Sequence, residues 1–246
     1  MSKNIMLFNS PISSQKVDQI IDVLNLSEGD RVLDVGCGTG EFLIRVIEQK
    51  QVQGLGIDQQ SELIYVANKM ASSRIAKNSY EFIKADVNSF ILEEDSYDLG
   101  ICIGSTHAFG SGEAAYPNTI RELMRAVKPG GLILVGEGYW KQEPEPEYLE
   151  LIGEPTGIYR SHAENIWFGE QQGLIPLYAT VSNEDEWDHF EWSHKLNIEQ
   201  EFITSSENFE RLSQSRKWRD GYLKWGRSTM GFGFYLFRTP IYNKPK

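Results

Sequence analysis

The stretch Val32-Leu33-Asp34-Val35-Gly36-Cys37-Gly38-Thr39-Gly40-Glu41-Phe42 decides the fold. An apolar, β-branched run ends in glycines at alternate positions and passes into a helical pattern with Phe42, Leu43, Val46 and Ile47 on one face. That is a strand, a turn and a helix. Glycines at such a turn let the backbone bend sharply, approach a ligand closely and aim helix N-terminal N–H groups at it. A nucleotide-like ligand is expected there.

Outward from this unit the alternation continues. Before it, Ser13 or Ser14 can cap an amphipathic helix with Val17, Ile20, Ile21 and Leu24 on one face. After the first strand, Arg31 to Val35, further strands are expected at Gln53 to Ile57, Tyr80 to Lys84 and Tyr97 to Ile103, with a helix from Glu62 to Lys77. A helix carrying Ile120, Leu123, Met124 and Val127 is expected to end at Lys128-Pro129-Gly130-Gly131, with a fifth strand from Leu132 to Glu137. Strands and helices in this order predict an α/β fold with a parallel sheet between helices.

Beyond Glu137 the character changes: all six tryptophans lie there, and Glu143-Pro144-Glu145-Pro146-Glu147 interrupts regular structure. We therefore read residues 1–137 as a ligand-binding core and 138–246 as a cap with the last strands, within a single domain. Strands are expected at Leu174 to Val181 and Phe232 to Arg238. Between them, one helix carries Trp187, Phe190, His194, Ile198 and Phe202 and another carries Trp218, Tyr222 and Trp225. On its apolar stripe His194 reads as a satisfied core histidine.

A chain of 246 residues suits one domain with an elaborated cap. Its formal net charge of -11 repels phosphate backbones and anionic lipid surfaces, which disfavours nucleic acid and membrane as partners. The first residues carry no apolar leader pattern and no run is long enough to span a bilayer, so the expectation is a cytoplasmic protein. Cys37 and Cys102 form neither a metal quartet nor a disulfide framework; both are read as free thiols, and no metal is expected.

The acidic residues narrow the ligand. Asp58 closes the second strand about twenty residues past the glycines, where a carboxylate can accept from ribose hydroxyls. Asp86, with Val87, closes the third and can reach an adenine. A dinucleotide would also suit a glycine turn, which keeps an NAD-dependent oxidoreductase as an alternative. The spacing, however, is G-x-G-x-G and not G-x-G-x-x-G, and Asp34 two residues before the first glycine would repel a pyrophosphate. It would attract an ammonium. S-adenosylmethionine carries an ammonium and a sulfonium and no phosphate.

In these residues the sequence resembles the class I S-adenosylmethionine-dependent methyltransferases, whose motif order it follows from 31 to 137. The resemblance places Asp34, Gly36, Cys37, Gly38 and Gly40 in the first cofactor motif, Asp58 with Gln59 at the ribose, Asp86 and Val87 at the adenine and Gly104 at the methionine end. It implies a Rossmann-like, seven-stranded, mostly parallel sheet with helices on both faces and a helical lid inserted between strands six and seven. The D/N-P-P-Y/F signature of methyltransferases acting on nucleic acid bases is replaced by Gly104-Ser105-Thr106-His107. The likeness is instead to small-molecule enzymes, including quinone-biosynthesis C-methyltransferases, and to a bacterial subgroup with Gly136-Glu137-x-Tyr139-Trp140.

The expected activity is therefore in-line methyl transfer to a small molecule, leaving S-adenosylhomocysteine. Proximity and orientation dominate such a step, and a base is needed only if the nucleophile carries a proton. His107 and Glu137, at the ends of strands four and five, are the catalytic candidates; each has a plain alternative, as a loop histidine or as a carboxylate bonded to neighbouring N–H groups. Tyr139, Trp140, Tyr222 and Trp225 are the candidates for contact with the acceptor, although at least half of the cap rings should be core. A cofactor-binding sensor without chemistry is the remaining alternative.

Overall fold

The structure, a computed structural model, describes residues 6–205 and 209–241. In chain order its main elements are α1 (Ser14–Asp22), β1 (Arg31–Val35), α2 (Glu41–Lys50), β2 (Gln53–Asp58), α3 (Ser61–Ser72), β3 (Tyr80–Lys84), β4 (Tyr97–Ile103), α4 (Ala115–Ala126), β5 (Val127–Trp140), α5 (Pro146–Ile152), α6 (His162–Gln171), β6 (Ile175–Val181), α7 (Glu184–Ser205), α8 (Phe209–Gly221) and β7 (Met230–Arg238). Ser13 caps α1 by accepting from the Lys16 N–H, and Val17, Ile20 and Ile21 turn the apolar face of that helix inward. Of the two serines, Ser13 is the cap.

The strands form one seven-stranded sheet in the order β3-β2-β1-β4-β5-β7-β6. Strands β1 to β5 pair in parallel and β7 is antiparallel to both its neighbours. Each face carries its own core. Val32, Leu99, Leu134, Phe232 and Phe234 pack under α1, α2 and α3, while Leu33, Val35, Ile133, Tyr235 and Phe237 pack under α4 and α6. Because β1 to β4 run the same way, Gly36, Asp58, Asp86 and Gly104 emerge along one edge, where open α/β sheets bind their ligands.

The sheet and its order match the expected Rossmann-like architecture, and α7 and α8 do lie between β6 and β7 in the chain. Several boundaries differ. Helix α3 stops at Ser72, short of Lys77. Helix α4 stops at Ala126, so Lys128 does not serve its C-terminus but holds Asp98, with Nζ 2.8 Å from both carboxylate oxygens. Lys128-Pro129-Gly130-Gly131 is an irregularity inside β5: Val127 pairs with Tyr97 and Leu132 with Leu99, so the intervening residues bulge out of register. At its other end β5 continues through Gly138, Tyr139 and Trp140, paired with Phe232, Gly231 and Met230 of β7. Two helices that the sequence pattern did not place, α5 and α6, follow β5; Pro146, inside the stretch read as an interruption, opens the first, and a Ser161–Glu164 capping box opens the second.

Candidate functional site

The glycine turn is held in shape before any ligand arrives. Gly36 and Cys37 donate to the Ile57 carbonyl at 2.8 and 3.1 Å, locking the turn to the end of β2. Gly38 donates to Asp58 Oδ2 at 3.0 Å, and Gln60 donates to Asp58 Oδ1 at 2.8 Å. Gly36 has φ 71°, and a Cβ there would sit 2.2 Å from Cβ of Ser105, so both backbone and space require glycine. Thr39 donates to the Leu7 carbonyl at 2.8 Å and brings the segment before α1 across the turn.

The result is a cleft of about 750 Å³ along the carboxyl ends of β1 to β4. Of the residues expected to bind the cofactor, Asp34, Gly36, Cys37, Gly38, Asp58, Gln59, Asp86, Val87 and Gly104 all line it. Gly40 stands behind, at the start of α2 and against the Phe82 ring. Asp34 is 3 % exposed, and no described residue donates a hydrogen bond to its carboxylate. Burial, with the nearby Asp58 charge adding to it, raises its pKa to about 7. Such a carboxylate awaits a cation. Asp86 Oδ1 accepts from the Asn88 N–H and side-chain amide, both at 3.0 Å, and the amide also reaches the Ala108 carbonyl at 2.7 Å. That ties the β3 end to the loop holding His107.

A second cavity, about 470 Å³, adjoins the first. The two share Asn9, Ser10, Gly104 and His107, so His107, itself exposed, stands at their junction. Glu137 lines the second cavity. It is buried, accepts from the Thr106 hydroxyl and, at 2.7 Å, from the Gly138 N–H, and burial raises its pKa to about 7 despite these bonds. One of the two readings given to it, a carboxylate bonded to neighbouring groups, describes these bonds.

Of the four aromatic candidates, Tyr222 lines this cavity, its hydroxyl donating to Asp188 at 2.6 Å. Trp140 and Trp225 stand behind Tyr148, with ring centroids 6.3 and 6.2 Å from it. Tyr139 is buried against His162, at 5.4 Å between centroids, and lines neither cavity. His194 differs from its reading as a core residue. It is exposed at the rim of the cofactor cleft, edge-on to Phe190, because α7 projects over the cleft and buries little beyond Trp187, Glu186 and Lys195.

Sequence reasoning missed the segment from Met6 to Ser10, which walls the cleft, and Thr106, which holds Glu137. Neither carries a periodic pattern. Trp187, Phe190 and Trp218 did stand on the expected helical stripes, but a stripe does not distinguish a ring facing a cavity from one facing a core. Among the described residues no cluster of histidine, cysteine and carboxylate side chains is arranged to hold a metal ion, and no helix is long and apolar enough to cross a membrane.

Comparison with known proteins accords with this geometry. The methyltransferase domain family matches residues 26–198. The Uncharacterized protein YjhP of Escherichia coli (strain K12) is 30% identical over 77% of this chain and 75% of that protein. A demethylmenaquinone methyltransferase of Bacillus pumilus is 27% identical over 71% of this chain and 78% of its own. Several other curated relatives are matched over only about half of their own length. A methyltransferase from Geobacter sulfurreducens, crystallised with S-adenosyl-L-homocysteine, superposes with a TM-score of 0.86 at 24% identity over 96% of this chain and 94% of that one. With the family matched across most of its length, this chain belongs to the S-adenosylmethionine-dependent methyltransferases and has their class I fold.

Proposed function

We propose that the protein transfers a methyl group from S-adenosylmethionine to a small-molecule acceptor by in-line displacement. The observation that carries this reading is the shared wall of the two cavities. A cofactor in the first has its reactive end at Gly104 and His107, and an acceptor in the second meets it there. The cofactor, when bound, supplies a sulfonium methyl whose departure leaves a neutral thioether.

The residues present fit that cofactor. Asp34 would take the ammonium of the methionyl group, Asp58 and Gln59 the ribose, and Asp86 with Val87 the adenine. Among the described residues no lysine lines this cleft, and one arginine does, Arg211 from α8. A pyrophosphate would find little there to neutralise it. His107 would accept a proton from the nucleophile and, being exposed, pass it to water. Helices α7 and α8 give His194, Asn197 and Arg211 to the cleft and Trp187, Phe190 and Trp218 to the cavity, which suits a lid excluding water from both. The small-molecule acceptor is supported by this enclosed volume, by the missing nucleic-acid-base signature and by the demethylmenaquinone methyltransferase among the relatives.

Isothermal titration calorimetry tests the reading. S-adenosylmethionine and S-adenosylhomocysteine are expected to bind in the micromolar range, about -8 kcal/mol, with no comparable affinity for NAD. Asp58→Ala should weaken binding by roughly 1.5 to 3 kcal/mol through lost hydrogen bonds to a charged group. Preferential binding of NAD would reject the proposal.

A further inference from the structure

The second cavity has a chemical bias. Its acidic walls are Glu137 on β5, Glu154 after α5 and Glu191 on α7, with His107 at the junction, and among the described residues no lysine or arginine lines it. Between the carboxylates stand the rings of Tyr148, Trp187, Phe190, Trp218, Tyr222 and Phe232. An acceptor bearing a carboxylate or phosphate would find like charge and no counter-ion. The surroundings favour a cation over an apolar body: carboxylates for the charge, aromatic faces beside it, and a net charge of -11 over the whole molecule.

Resting on the methyl-transfer reading, we infer that the acceptor is an amine, its nitrogen paired with Glu137 and its apolar remainder held among the cavity rings. The amine enters as an ammonium and loses one proton, which His107 accepts and releases to water. The freed lone pair forms the N–C bond as the S–CH₃ bond breaks and its electrons stay on sulfur, giving an N-methylammonium and S-adenosylhomocysteine. Glu137 stays ionised throughout and anchors the charge of the entering ammonium and of the product. It is thus the residue that selects the acceptor, while His107 handles the proton.

Glu137 is suited to this because burial holds it near neutrality until a cation arrives. The Arg160 guanidinium draws the Glu137 carboxyl down against burial, and most of its other neighbours carry no charge. Cys102 on β4, Tyr116 on α4, Tyr159 before α6 and Tyr235 on β7 are all driven upward by burial and remain neutral. Arg160 lies over the rings of Tyr116 and Phe168 and does not line the cavity. Glu191 is also raised by burial, although the Trp218 indole donates to it at 2.8 Å.

The test uses full-length protein saturated with S-adenosylhomocysteine and three probes of similar shape: 2-phenylethylamine, 2-phenylethanol and phenylacetate. Calorimetry should find the amine bound at least about tenfold more tightly than the alcohol, and phenylacetate not at all. The amine preference should rise with pH through about 7 as Glu137 ionises, and should keep that rise in His107→Asn. In Glu137→Gln, with S-adenosylhomocysteine affinity intact to show that the fold survives, preference and pH dependence should both disappear. Equal binding of amine and alcohol, no binding of the amine, or a preference that survives Glu137→Gln would overturn the assignment. Failure of S-adenosylhomocysteine itself to bind would instead reject the methyltransferase reading. The two failures are therefore distinguishable.

Discussion

Asp34, which we propose meets the cofactor's ammonium, is kept at the expense of stability. A carboxylate whose folded pKa is near 7, against an unfolded value near 4, keeps its proton on folding across that interval. The folded state binds more protons than the unfolded, so stability falls as pH rises from about 4 to about 7, and the full penalty is present above it. Asp34→Asn should therefore stabilise the ligand-free protein by a few kcal/mol at pH 8 and by almost nothing at pH 4, measured by urea denaturation at both. The same variant should lose most of its affinity for S-adenosylmethionine. In the wild type that affinity should rise with pH through about 7, since only the ionised carboxylate attracts the ammonium. A pH-independent affinity would show that Asp34 does not face that charge.

His107 gives a second test at the same scale. It stands at the junction of the two cavities, on a loop steadied by the Asn88 amide at the Ala108 carbonyl. If it takes the nucleophile's proton, His107→Ala should lower kcat by about 10²- to 10⁴-fold with cofactor affinity nearly unchanged. Full turnover by the variant would leave positioning alone as the source of catalysis.

At the scale of elements, α7, part of the lid proposed above, is fastened at one end. Glu186, in the first turn of α7, accepts from the Ser13 backbone N–H at 3.0 Å and from its hydroxyl at 2.6 Å, and pairs with Lys16. The Asn183 N–H donates to the same carboxylate at 2.9 Å, and Ser182 on the preceding loop donates to the Pro11 carbonyl. These bonds hold Glu186 below the usual carboxylate range although burial acts against them. They join the base of α7 to the segment that walls the cofactor cleft. Glu186→Ala leaves Lys16 and Ser13 without this partner and should cost about 2 to 4 kcal/mol of stability. Amide exchange along 184–205 should accelerate in the variant. In the wild type, cofactor product with an acceptor should slow exchange in α7 and α8 more than in the sheet; equal protection would make these helices a fixed wall.

Elements also differ in how well the sequence announces them. Strands β1 to β4 and the turn after β1 were legible because each couples an apolar run to a terminal glycine or carboxylate, so pattern and chemistry agree. That these residues line one cleft was legible for the same reason. The acceptor cavity was not. Its rings come from α5, α7, α8 and the turn after α8, with Phe232 from β7, and on helices apolar residues recur at the same spacing whether they meet a core or an empty space. Tyr139 and Trp140 were expected to meet the acceptor on position alone, yet the β5–β7 pairing carries them into layers behind the cavity. Lys128-Pro129-Gly130-Gly131 read as a helix stop because Pro and Gly end helices; here α4 has already ended at Ala126, and these residues bulge from a strand that has already begun.

For the whole molecule, the question is whether 1–137 and 138–246 are separable units. The sheet argues that they are not. Strand β5 crosses that boundary without interruption, and β7, from the C-terminal end of the chain, pairs with β5 from Leu132 to Trp140. Phe232, Phe234 and Leu236 supply the same core as Val32, Leu99 and Leu134, so the cofactor-binding half lacks part of its own interior without them. Removing them would expose large apolar surface, each ring being worth several kcal/mol when buried. The distribution of tryptophan makes a clean test possible: all six lie after residue 137, so their fluorescence reports on the C-terminal part, whereas S-adenosylhomocysteine contacts would lie mainly before it. One cooperative unit requires that fluorescence, far-ultraviolet circular dichroism and loss of bound product follow the same urea transition. Saturating S-adenosylhomocysteine should shift all three together, by about 2.7 kcal/mol at one hundred times its dissociation constant. A fluorescence transition that stays in place while the others move would show that the cap unfolds on its own, and the chain would then consist of two units sharing a sheet.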